Sequence, residues 1–161
     1  MQRNSYSLLN MKNKITMKEY KERALTEHEE QKKVMAWVDE MTPHFPELGL
    51  LFAVPNGGFR HKSVAIKMKA EGVRAGVSDL MLPVARRGFY GLFLEMKAIG
   101  GKSTPKQSDF LKAIFDQGYC PAVGVGAQNG IDILRWYLGM TDLEPEGCYL
   151  TRRDIYLKNL Q

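Results

Sequence analysis

Apolar positions recur at helical spacing from Leu25 to Met41, where Val34, Trp37, Val38 and Met41 form one stripe. Thr26, with Glu29 or Glu30 near the third helical position, resembles a capping box, and Pro43 and Pro46 break the chain beyond. Glu27 and Gln31 extend the stripe backward at i, i+4, so two polar groups begin a face that otherwise points inward. The apolar run Leu50–Val54 predicts a strand, and Pro55-Asn56-Gly57-Gly58 is loop chemistry. His61 to Glu71 predicts a helix with Val64, Ile66 and Met68 among its apolar positions, stopped by Gly72. Val77–Pro83 and Phe89–Ala98 predict two strands turning at Arg86-Arg87-Gly88, an antiparallel hairpin. Ser103-Thr104-Pro105 starts a helix that runs to about Asp116 and buries Phe110, Leu111, Ile114 and Phe115. Cys120–Gly126 predicts a further strand and Ile131–Leu138 a last helix. The order α-β-α-β-β-α-β-α is a mixed α/β layer architecture, a central sheet flanked by helices. Residues 1–23 read as a polar arm, 24–140 as the domain, and 141–161 as a tail that packs on the core or on a partner chain.

Composition changes this picture little, and charge changes it more. The chain has 161 residues, enough for one domain with a real core. No apolar run approaches the roughly 18 residues that a bilayer demands, and the N-terminus has no signal-peptide core. Cys120 and Cys148 lie far apart without CxxC spacing, which suits reduced thiols in a cytoplasmic protein and argues against zinc. The net charge of +5 is unevenly spread. Between Asn56 and Lys112 stand 11 Lys/Arg and 4 Asp/Glu, whereas the remainder is slightly acidic. A concentrated basic stretch suits a polyanion such as nucleic acid, although a solvated basic face has the same composition.

The informative chemistry is Asp79 with the pair Glu95-x-Lys97. Strand side chains alternate, so Glu95 and Lys97 share one face while Leu92, Leu94 and Met96 take the other. If the hairpin strands pair, Asp79 approaches Glu95. Two neighbouring carboxylates repel, and a divalent metal with oxygen ligands resolves the conflict. Lys97 then orients or deprotonates a water and stabilises charge building on a phosphate. An isolated ExK is common on solvated hairpins. Its setting in Gly91-Leu92-Phe93-Leu94-Glu95-Met96-Lys97 points to a cleft instead.

From about Thr26 to Gly126 the chain resembles the VRR-NUC branch of the PD-(D/E)XK nucleases, in its stand-alone, phage-type form. The matching pieces are Glu27 with Gln31, Val54-Pro55-Asn56-Gly57, Gly72 through Asp79, Leu94-Glu95-Met96-Lys97, Ser103-Thr104-Pro105-Lys106-Gln107, and Gly118 before the last core strand. Ser78 stands where the superfamily name has proline. The resemblance implies a restriction-endonuclease-like core and metal-dependent phosphodiester hydrolysis. Asp79, Glu95, the Met96 carbonyl and Glu27 would bind Mg²⁺, with Mn²⁺ able to substitute, and Lys97 would be catalytic. Glu30 rivals Glu27, because helix register is uncertain by a residue. Gln107 would touch substrate or order the site. Neither a membrane nor an organic cofactor is implied.

Asn56, Arg60, Lys62, Lys67, Lys69, Arg74 and Lys102 are the expected phosphate contacts, with glycine-freed amides in the loop before Lys62. His28 and His61 could act as bases but read more simply as ordinary polar residues. His44, between two prolines, reads as structural or exposed. The leading expectation is a structure-selective DNA endonuclease of a bacterial or phage-infected cell, cutting four-way junctions as a homodimer, since a junction has two-fold symmetry and needs two cuts. The alternatives are a nuclease for flaps, nicked or plain duplex, or a non-catalytic DNA-binding module.

Overall fold

A computed structural model of the protein describes residues 25–55 and 62–148. Helix α1 (Glu27–Met41) starts on Thr26, whose hydroxyl accepts from Glu29 N while the Glu29 carboxylate accepts from Thr26 N, a full capping box. A short 3₁₀ turn (Pro46–Leu50) leads into β1 (Phe52–Ala53). Helix α2 (Lys62–Ala70), β2 (Leu80–Leu82), β3 (Leu92–Lys97), α3 (Pro105–Asp116), β4 (Cys120–Val125) and α4 (Gly126–Tyr137) follow.

The four strands form one sheet in the order β1-β2-β3-β4. The first two pairings are antiparallel and the third is parallel, with α3 as its crossover. Alternation along β3 divides the core. Leu92, Leu94 and Met96 pack with Val34, Val38, Ile133 and Leu134 of α1 and α4 on one face. Phe93 packs with Phe110, Leu111, Ile114 and Val123 on the other, under α3.

Element types and order agree with the sequence reading, and several boundaries differ, among them that of β3, which starts at Leu92 rather than Phe89. Leu50 belongs to the 3₁₀ turn, since Pro46 starts a helical turn there, and it is half-exposed. The second expected strand joins the ladder only from Leu80; Val77 and Ser78 before it have no regular structure, and Asp79 sits at a bend. The last helix begins five residues early, at Gly126. Its cap residue, Val125, has no side chain that could cap it, Asn129 Oδ1 accepts from Val125 N at 2.9 Å, and a positive φ at Gly126 turns the chain directly from strand to helix. Helix α2 is almost wholly solvent-exposed, so Val64 and Ile66 contribute nothing to the core. The arm 1–23 and residues 149–161 of the tail lie outside the described residues. The tail's beginning packs on the core: Val123 N donates to Gly147 O, and Ala122 bridges Cys148. Both cysteines are buried, and neither is in a disulfide.

The hairpin turn is fastened to α4 by Arg87, which sequence reading takes only as a turn residue. Its guanidinium donates to Trp136 O (2.7 Å) and Thr141 O (3.0 Å) and lies 4.5 Å from the Trp136 ring centroid. It thereby adds a charged donor to carbonyls at and beyond the helix end and stacks on the Trp136 ring. Arg87→Ala is expected to lower stability by about 1–2 kcal/mol, a value that allows for partial solvent exposure. A denaturation midpoint equal to wild type contradicts that role.

Candidate active site

The apolar face of β3 fixes where its polar residues go. With Leu94 and Met96 committed to the core below α1 and α4, Glu95 and Lys97 face the other side of the sheet, and both are buried. The antiparallel register pairs Leu80 with Leu94, so one step further along it brings Asp79 opposite Glu95. Asp79 Oδ2 accepts a hydrogen bond from Met96 N at 2.8 Å. Its main-chain carbonyl accepts from Val54 N at 2.7 Å, which ties the residue to the end of β1.

Lys97 is the hub of the charged groups. Its Nζ lies 2.7 Å from Glu95 Oε1, 3.1 Å from Met96 O and 3.4 Å from Glu27 Oε1. Gln107, in the first turn of α3, donates from Nε2 to the same Glu95 Oε1. Glu95 Oε1 therefore holds two donors, whereas Glu95 Oε2 is buried and has no hydrogen-bond partner among the described residues.

Burial, with the Asp79 charge adding to it, pushes the Glu95 carboxyl up to about 7 despite the hydrogen bond from Lys97. Burial also raises Asp79, against the lowering effect of the Met96 amide. Desolvation pulls the Lys97 ammonium down, but the Glu95 hydrogen bond and the charges of Glu95, Glu27 and Asp79 together outweigh it, so its pKa lies above the ordinary value. Carboxylates raised by crowding and burial are groups that a cation would relieve.

The donor set fits a hard divalent ion. Asp79, Glu95 Oε2 and the Met96 carbonyl offer oxygen only, and the buried orphan oxygen lacks the partner that a buried charge needs. Glu27 reaches this set through Lys97, and among the described residues no three acidic, His or Cys groups form a ready cage.

The two first-helix acids part company. Glu27 faces Lys97 with its side chain half-exposed. Glu30 is buried, and its Oε2 accepts from Ala127 N at 2.8 Å, so it caps the open N-terminus of α4. Gln31 is half-buried and His28 exposed. Arg74 and Lys102 are exposed on the segments that lead to Asp79 and Gln107, and Lys67 and Lys69 are exposed on α2. Asn56, Arg60, His61 and the Lys62 side chain lie outside the described residues. Sequence reading takes Thr104 only as part of a helix start and gives Lys106 no role of its own, although both stand in the Ser103–Gln107 segment. It also passed over the contact made by Gly76, where an added Cβ would meet Lys106 O at 2.7 Å. The loop that delivers Asp79 thus presses on the first turn of α3.

No family model matches the chain, and no curated protein matches it. Among solved structures, one described as a "VRR_NUC domain protein" superposes with a TM-score of 0.64 at 31% identity. The match covers 80% of this chain and 100% of that one. The mixed four-stranded sheet and the flanking helices agree with that likeness, and the chain belongs to the VRR-NUC family of nuclease domains.

Proposed function

We propose that this nuclease domain is a divalent-metal-dependent endonuclease that hydrolyses phosphodiester bonds in DNA. The observation that carries the proposal is the buried, unpartnered Glu95 Oε2 in a site shared with Asp79 and Lys97. Asp79, Glu95 and the Met96 carbonyl hold the ion, and Glu27 completes the acidic set. When bound, Mg²⁺ or Mn²⁺ supplies Lewis acidity at the scissile phosphate and a water of lowered pKa. Lys97 places a positive charge where the phosphate gains negative charge in the transition state. Arg74, Lys102, Lys106, Lys67 and Lys69, all exposed, bind backbone phosphates. Such contacts position DNA by its backbone rather than by base sequence, and the branched substrate follows from the resemblance of stand-alone members of the family to junction resolvases. A homodimer supplies the two cuts that a two-fold junction requires.

The test is cleavage of a labelled four-way junction beside a linear duplex of the same sequence, with Mg²⁺, Mn²⁺ or EDTA and a Lys97→Ala control. Paired, metal-dependent cuts in the junction that vanish in the control are expected. Equal cutting of the duplex removes the junction preference and keeps the chemistry. Tight DNA binding with no cleavage of any substrate overturns the proposal.

A further inference from the structure

Gln107 has two neighbours at once, and their geometry leaves its amide one orientation. Its Oε1 accepts from Thr104 N at 2.8 Å and from Thr104 Oγ1 at 3.1 Å, as the returning half of the α3 capping box. With the carbonyl end taken by two donors, the NH₂ end must point away from Thr104, and it meets Glu95 Oε1. A flipped amide would set its N–H groups against the Thr104 donors and its oxygen against a carboxylate.

Glu95 Oε1 is thereby filled from two sides, by Gln107 and by the Lys97 ammonium, and Oε2 is the oxygen left over. The helix start itself is located by the Asp79 loop, because Gly76 packs its Cα against the Lys106 main chain where no Cβ fits. A backbone contact at Gly76, a helix cap at Thr104 and an amide at Gln107 therefore form one path from the Asp79 loop to the Glu95 carboxylate.

We infer that the Thr104–Gln107 capping box is a positioning device for the metal ligand, orienting Glu95 so that it takes the ion through Oε2 alone. Gln107 is in this account a positioning residue that acts through Glu95, and Thr104 is its anchor. The inference rests on the metal-dependent reading of the site. Groups that orient a metal ligand typically contribute about 10–100-fold to metal affinity.

The experiment is calorimetric titration of Mn²⁺ into the full chain, with thermal unfolding of the metal-free protein alongside. Wild type binds, and Glu95→Gln does not. Gln107→Met, which keeps side-chain volume and loses all three side-chain hydrogen bonds, two to Thr104 and one to Glu95, is expected to weaken Mn²⁺ at least about tenfold. Its metal-free melting temperature falls only by the few degrees that a lost half-cap costs. Thr104→Val is expected to weaken Mn²⁺ several-fold, and Thr104→Ser, which keeps the hydroxyl, to restore it. If wild type binds no Mn²⁺, or Glu95→Gln binds as wild type does, the metal-dependent reading falls and this inference with it. If wild type binds, Glu95→Gln does not, and Gln107→Met stays within twofold of wild type, the inference alone is overturned. The same holds if Gln107→Met changes only the KM for DNA, the signature of direct substrate contact.

Discussion

Glu95→Gln is expected to reduce cleavage by about 10³-fold or more, some 4 kcal/mol of barrier, with DNA binding largely retained. The size of the effect follows from the hydrogen-bond arrangement as well as from the lost charge. Lys97 and Gln107 both donate to Oε1, so a glutamine at this position must place its carbonyl there and its NH₂ in the position of Oε2. Two N–H donors then point where the carboxylate oxygen points in the wild type. Metal-free stability is expected to fall, because the buried Lys97 ammonium loses the charge that lies 2.7 Å from it. Mn²⁺ at about 100 times its Kd stabilises wild type by about 2.7 kcal/mol, roughly 5–10 °C in a domain of this size, and leaves the variant unmoved. Wild-type cleavage by Glu95→Gln means that the active site lies elsewhere.

Glu27→Gln and Glu30→Gln are expected to give opposite outcomes, although the two residues are one helical turn apart. The Glu27 side chain is half-exposed, with its Oε1 3.4 Å from Lys97 Nζ. Its loss is expected to change stability by less than about 0.5 kcal/mol and to lower cleavage by about 10²-fold, through weaker metal retention and a misplaced Lys97. Glu30 is buried on the first amide of α4. Its loss removes a charge-assisted hydrogen bond at a helix N-terminus and is expected to cost about 1.5–3 kcal/mol. Cleavage per folded molecule stays within about twofold. Chemical denaturation together with specific activity at a temperature where both variants are folded separates the two effects. A stable, inactive Glu30→Gln would exchange the roles assigned to the two acids.

Local signals explain what was readable from the chain. The alternation in Leu92–Lys97 needs only the two-residue period of a strand, and it already separates Glu95 and Lys97 from the core leucines. Thr26 with Glu29 and Thr104 with Gln107 are caps whose partners sit three residues apart, so sequence shows where α1 and α3 begin. The start of α4 has Val125, not a hydroxyl or carboxylate residue, at its cap position. Its cap comes from Glu30, 97 residues away, while Gly126 and Gly130 argue locally against a helix. Leu50–Val54 is apolar enough for a strand, yet only two of its residues find partners on β2. Leu50 and Leu51 end the 3₁₀ turn before the ladder begins, and Val54 follows it with its N–H on Asp79 O.

The sequence by itself determined the α/β element order, the position of each capped helix, and the candidate trio Asp79, Glu95 and Lys97, because periodicity, caps and a motif in an apolar strand act over a few residues. Only the tertiary structure decided that Glu27 faces Lys97 while Glu30 caps α4, that Gly76 presses on α3, and that Gln107 aims its amide at Glu95. Those outcomes depend on which helix face, loop and strand end meet across the sheet. Contacts between segments so distant in sequence are set by the packing of the whole core, and no local pattern encodes them.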